Sequence, residues 1–231
     1  MVLDEHTLKE LKEIFEKNLK DPVEVVLITD KEKNREPSEV AEELARDIMS
    51  ITDKVKFEIV DANDEKGKGY LDKYDLRLDK WGKRYGPLFF FKEKPNIIYY
   101  GLPAREEFPV FIEDLIMLSN KKVDMMLSVA MKIKKVNIPI DIYIFVTPTC
   151  PYCPYMTLSS HRFAYLNDKI RGIMIEATEF PEFADAYQVM AVPKNVIIDR
   201  RTGKELLIWE GMVPENAFAE QIEHALEHAK E

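Results

Sequence analysis

The sequence predicts an α/β fold made of two repeated halves, each a central mixed β-sheet flanked by helices. Three observations lead there. β-rich runs alternate with helix-periodic segments, the two halves repeat one order of elements, and the closing segments of the halves align without gaps.

The first half opens on HTLKELKEIFEKNL, where Leu8, Leu11, Ile14, Phe15 and Leu19 fall at helical spacing. PVEVVLIT follows as a strand rich in β-branched residues, then PSEVAEELARDIMS as a helix and KFEIVDA as a strand. The second half repeats the series with VDMMLSVAMKIKKV, IPIDIYIFVT, YMTLSSHRFAYLND and GIMIEAT. A further helix is expected before each closing hairpin. LFFFKEKPNIIYYG and NVIIDRRTGKELLIWEG read as those hairpins, edge pairs of strands, the second turning at Arg201–Gly203. Each half ends on a helix: Gly101 to Ile116 aligns with Gly211 to Leu226, with identities at Gly101/Gly211, Phe108/Phe218, Ile112/Ile222 and Glu113/Glu223. Four matches in register within sixteen positions point to duplication. The join falls near Leu118–Lys122, giving units 1–118 and 119–231.

With 231 residues the chain has enough core to fold without staples. Its net charge of −9, with Lys and Arg scattered among acids, argues against nucleic acid and anionic membranes as main partners. The start, MVLDEHTLKELKEIF, is acidic and amphipathic without an apolar signal core, and no later run is long enough to span a bilayer. A cytoplasmic protein is therefore expected. Charged residues make up 32% of the chain and only two Gln occur, a composition that leans towards a heat-adapted source.

Both cysteines lie in TPTCPYCP, at Cys150 and Cys153. A structural disulfide there would close only a tiny loop and remove little unfolded-state entropy. Structural zinc generally wants four ligands. The chain offers two thiols and four His, of which His224 and His228 share a face of the last helix. A cluster shared between two chains would supply four thiolates and stays open as a reading. Thiol–disulfide exchange fits the local pattern best. Cys150 precedes Pro151, which favours extended geometry at Cys150 and the first helical position for proline. The Cys150 sulfur is thus expected at an N-cap, over the free N–H groups of Tyr152 and Cys153, where the helix end favours thiolate. Cys153, one turn on, is placed to resolve a mixed disulfide. Pro154 falls among the first four helical residues and need not break the helix. No cofactor and no metal are expected. A redox-inert binding module with a vestigial cysteine pair is the alternative from another class. YQVMAVPKNVIID adds Pro193 at a strand start, tolerated there if its bond is cis and it faces the cysteines.

TCPYCP followed about forty residues later by AVPK resembles the thioredoxin superfamily, and CPYC is the glutaredoxin-type motif. The tandem arrangement resembles the protein disulfide oxidoreductases of thermophilic archaea and bacteria. That resemblance implies two tandem thioredoxin-like folds acting on protein disulfides. It makes Cys150 the nucleophile, Cys153 the resolving thiol, Pro193 a cis-proline and Val192 the residue that docks substrate backbone. Pro151 and Tyr152 would flank the substrate, Tyr152 as an aromatic wall. A flavin-dependent thioredoxin reductase is the implied electron donor.

The first half departs from the pattern. Counting from Thr29 and Thr147, Glu32 and Arg35 stand where two cysteines would be, and Pro87 matches the cis-proline loosely. This half is expected to be chemically silent. The superfamily often has a buried acid on the first central strand, where this chain has Ile144. Glu176 reads as a solvent-facing strand residue with a lesser prospect of proton transfer beneath the thiols. His161 reads as surface. Met117, Met125, Met126 and Met131 read as core filler.

Overall fold

The computed structural model describes residues 2–76 and 85–229, apart from the side chain of residue 228. The first half runs α1 (Glu5–Asn18), β1 (Val23–Thr29), α2 (Arg35–Ile51), β2 (Val55–Asp61), α3 (Glu65–Lys73), β3 (Leu88–Phe91), β4 (Lys94–Tyr100), a 3-10 turn (Arg105–Glu107) and α4 (Phe108–Asn120). The second runs α5 (Leu127–Lys134), β5 (Ile140–Val146), α6 (Cys153–Leu166), β6 (Ile170–Glu176), α7 (Pro181–Ala186), β7 (Lys194–Asp199), β8 (Lys204–Glu210) and α8 (Glu215–His228). Local chemistry sets the boundaries. Asp4 caps α1 by accepting the Thr7 N–H at 2.8 Å. Lys121 ends α4 in the left-handed region, where its N–H reaches Leu118 O and that of Lys122 reaches Met117 O.

The strands form one eight-stranded sheet in the order β2-β1-β3-β4-β6-β5-β7-β8. Within each half a parallel pair (β1–β2, β5–β6) is followed by antiparallel neighbours (β1–β3–β4, β5–β7–β8). The halves meet where β4 runs parallel to β6, with Ile97 opposite Gly172 and Tyr100 opposite Ile175. This corrects one expectation: the first hairpin is not at an edge. β4 is apolar on both faces, Ile97 through Tyr100 all being buried, and it covers that surface by pairing with β6. Of the two hairpins, β7–β8 is the one at an edge, and β2 forms the other edge of the sheet.

Alternation along the strands divides the core into two layers. Val25 and Leu27 pack with Phe89, Tyr99, Phe111, Ile144 and Met174 on one face. Val26 and Ile28 pack with Phe90, Ile98, Phe145, Ile173 and Phe183 on the other. Of the methionines, Met117 is buried and Met125 packs against the core, but Met126 and Met131 are more than half exposed. α5 is short, and Val129 and Ile133 are its buried residues, which leaves those two methionines outside. The helix carrying the cysteines sits close on the sheet at Gly172, where an added Cβ would lie 2.6 Å from Ser160 O.

The internal repeat has a structural counterpart. Gly101 and Gly211 both take positive φ, 106° and 87°. Each donates its N–H to a proline carbonyl at 2.8 Å, Gly101 to Pro87 and Gly211 to Pro193. Both X–Pro bonds, Gly86–Pro87 and Val192–Pro193, are cis.

Candidate active site

Cys150 and Cys153 form a disulfide between the end of β5 and the start of α6, their Cα atoms 5.5 Å apart. Cys153 is fully buried and Cys150 is 6% exposed, while Pro151 and Tyr152 project into solvent. The Cys150 N–H is held by Thr147 O at 3.1 Å. Regular helix begins later than expected: Pro151 and Tyr152 form a turn and α6 starts at Cys153. Of the two amides anticipated at the sulfur, that of Cys153 is in place, its N–H donating to Cys150 Sγ at 3.2 Å. Prolines at 151 and 154 carry no N–H, and the one early amide seen on the sulfur is that of Cys153, the first residue of α6. Such a position favours negative charge on sulfur when the disulfide opens.

Beside the cysteines, Thr147 shares with Ala177, Thr178, Ala184, Met190 and Val192 the wall of an open pocket of about 290 Å³. Val192 is half-buried, and its backbone N–H and C=O make no hydrogen bond among the described residues. The counterpart in the first half is closed. α2 begins at Arg35 as α6 begins at Cys153, which puts Asn34 in the place of Tyr152. Asn34 Nδ2 donates to Gly86 O, ahead of Pro87, at 3.0 Å, and to Glu179 O at 3.4 Å. Glu32 and Arg35 are exposed and carry no thiol chemistry.

Two sequence expectations are overturned. Glu176 is buried, not solvent-facing: it ends β6 against Gly101 and accepts hydrogen bonds from Thr178 Oγ1 at 2.7 Å and Glu179 N at 2.6 Å. The chain turns back at that point, and the carboxylate satisfies the amides of the turn. His161 is also fully buried. It follows Cys153 by eight residues on α6, with its Nδ1 2.6 Å from Asp114 Oδ2.

An acid that sequence reasoning missed lies near the cysteines. Glu107 closes the 3-10 turn whose Glu106 N–H donates to Pro148 O, two residues before Cys150, at 3.3 Å. Its side chain is buried beside Thr157, one turn beyond Cys153 on the same face of α6. Burial pushes the Glu107 carboxyl up to about 8; the Thr157 hydroxyl opposes that rise, and Asp114 and Glu106 add to it. Glu179 is likewise pushed up to about 8, chiefly by burial, against the Leu102 N–H that it accepts. A sequence signal existed for this region: Asp114 occupies a helical position three and four residues from the buried Phe111 and Val110, on an otherwise apolar stripe. Among the described residues, no group of three or more His, Cys, Asp or Glu is arranged to hold a metal ion. No described helix is long and apolar enough to cross a membrane.

Fold and cysteine pair together define a thioredoxin-like fold that carries a Cys-x-x-Cys disulfide at the end of a central strand. Residues 140–224 match the thioredoxin domain family. Over nearly the full chain the structure is similar to a protein disulfide oxidoreductase from Aeropyrum pernix, with a TM-score of 0.82 and 24% identity, covering 97% of this chain and 94% of that one. It is also similar to the alkylhydroperoxide reductase component AhpF from Enterococcus faecalis, with a TM-score of 0.78 and 19% identity, covering 96% and 99% of the two chains. These likenesses establish two tandem thioredoxin-like folds. In sequence, the chain is 34% identical over 87 residues to chloroplastic thioredoxin Y of Oryza sativa subsp. japonica, covering 37% of this chain and 51% of that protein. It is 24% identical over 193 residues to the same alkyl hydroperoxide reductase component from Pseudomonas aeruginosa, covering 83% of this chain and 33% of that protein. The chain thus spans about half and a third of these curated relatives.

Proposed function

We propose that this protein exchanges thiols and disulfides with protein substrates through Cys150 and Cys153, working as a reductase in the cytoplasm. The observation that carries the reading is the Cys150 sulfur accepting the first amide of α6, that of Cys153, with the Cys153 side chain buried behind it. In the reduced protein a Cys150 thiolate attacks a substrate disulfide, forming a mixed disulfide and releasing one substrate thiolate. Cys153 then gives up its proton and attacks the Cys150 sulfur, releasing the second substrate thiolate and closing the pair. Glu107 is the group we assign to receive that proton, since a carboxyl titrating near neutrality is matched to proton transfer at ambient pH.

Val192 is the docking residue in this reading. Its unpaired backbone groups would bond an extended substrate segment beside Pro193, with Pro151 and the exposed Tyr152 walling the cleft. The units divide at 1–118 and 119–231, the first silent in thiol chemistry but contributing Glu107. A flavin-dependent thioredoxin reductase would return the electrons. With dithiothreitol as reductant, the protein is expected to reduce insulin disulfides. Cys150→Ser should abolish this and Cys153→Ser should accumulate mixed disulfides; unchanged turnover in Cys150→Ser would sink the assignment.

A second reading rests on the likeness to the alkyl hydroperoxide reductase component AhpF. The dithiol would then pass electrons to a peroxide-reducing partner instead of to varied clients. Peroxide consumption in the presence of a thiol peroxidase, with no insulin reduction, would favour it.

A further inference from the structure

Behind the cysteines, a polar seam runs between α4 and α6. Two residues of the seam lie on α6: Thr157, four residues after Cys153, and His161, four further on. The first half supplies Glu107, Asp114 and Tyr99. All five residues are buried. Asp114 Oδ2 lies 2.6 Å from His161 Nδ1 and accepts the Tyr99 hydroxyl at 2.5 Å. The Tyr99 and His161 rings meet edge to face, with centroids 4.8 Å apart. The Thr157 hydroxyl lies against the Glu107 carboxyl, and Asp114 Oδ1 and His161 Nε2 have no hydrogen-bond partner among the described residues.

Each such atom costs about 1–3 kcal/mol of desolvation. A contact needed only for packing would be more stable if apolar. The groups that act on Glu107 are Glu106 on its own turn, Asp114 on α4, Tyr99 on β4 and Thr157 on α6, with His161 reaching it only through Asp114.

We propose that Asp114 and His161 are positioning residues for the Cys150–Cys153 couple, their buried pair setting the charge beside Glu107 and so the pH at which Glu107 exchanges the Cys153 proton. This rests on the role assigned to Glu107 above. An ionised Asp114 opposes ionisation of Glu107, and His161 and Tyr99, both bonded to Asp114, govern how much of that charge is felt. No redox step is added: one proton moves from Cys153 Sγ to a Glu107 oxygen, and the pair only biases that transfer.

Two readouts on the full-length protein test this. The first is the infrared carbonyl band of protonated Glu107 followed against pH in the oxidised protein and isolated by difference from Glu107→Gln. The second is the reduction potential of the couple against pH, whose slope changes where Glu107 titrates. Asp114→Asn should move both midpoints down by about one pH unit, as removal of a nearby like charge does. His161→Gln should move them up, and Asp114→Glu should restore the original value. Tyr99→Phe, which removes one hydroxyl, should give a smaller downward movement and serves where Asp114→Asn does not fold. Unmoved midpoints in these variants would overturn the proposal. The same movement of the potential curve in a Glu107→Gln background would overturn it as well. A pH profile of the potential left unchanged by Glu107→Gln itself would overturn it through its premise, while insulin reduction and its dependence on Cys150 would stand.

Discussion

Glu107 binds its proton more tightly in the folded chain than in the unfolded one, because burial raises its carboxyl from 4.5 to about 8. The consequence for stability has a definite sign. Below about pH 4.5 the carboxyl is protonated in both states and imposes no penalty. As pH rises from about 4.5 to about 8 the unfolded chain gives up the proton that the folded protein keeps, so stability falls across that window and levels off above it. The size is on the order of a few kcal/mol. Glu179 contributes with the same sign. Glu107→Gln should therefore flatten part of the decline in urea midpoint between about pH 5 and pH 8, leaving the variant more stable than the parent at the alkaline end. The same substitution should slow resolution of a mixed disulfide on Cys150, seen in single-turnover kinetics. Residues such as these were hard to read in the sequence. An acid or a histidine on a helix is normally a surface group, and what buries Asp114 and His161 is each other, across a contact between halves that no local pattern encodes.

At the scale of elements, the two glycines of the internal repeat separate backbone from packing effects. Both need positive φ, but an added Cβ at Gly211 meets nothing within 4 Å, whereas at Gly101 it would lie 2.5 Å from Glu176 Cβ and 3.1 Å from Glu179 Oε2. Gly211→Ala should cost about 1–2 kcal/mol from its φ alone. Gly101→Ala should cost at least about 3 kcal/mol, read from denaturant midpoints. In the first half, replacing Glu32 and Arg35 together with Ala should leave insulin reduction close to the parent rate, since both are exposed and the docking carbonyl at Gly86 is already occupied by Asn34. Strand and helix order was legible because periodicity is local. The alternation of Val25 to Ile28 and the apolar repeat of α1 depend on nothing distant. The bond from Cys153 N–H to Cys150 Sγ was legible for the same reason: proline and cap chemistry act over three residues. The placement of the first hairpin was not. Whether β4 ends a sheet or continues it is decided by β6, more than seventy residues on.

The molecule as a whole is held together by more than a linker between repeats. β4 and β6 share a ladder, and Arg171 on β6 grips both Asp141 oxygens while its remaining nitrogen donates to the Tyr74 and Asp75 carbonyls of the first half. The acid assigned to the resolving step comes from one repeat and the thiol from the other. Residues 119–231 expressed alone would expose the apolar β6 edge and the α6 face that packs on α4, and size-exclusion chromatography should find that fragment aggregated. Continuity of the sheet also bears on how the protein comes apart. Neither repeat can melt without tearing hydrogen bonds from its neighbour, so a calorimeter should record a single endotherm whose van't Hoff and calorimetric enthalpies agree, where beads on a string would give two.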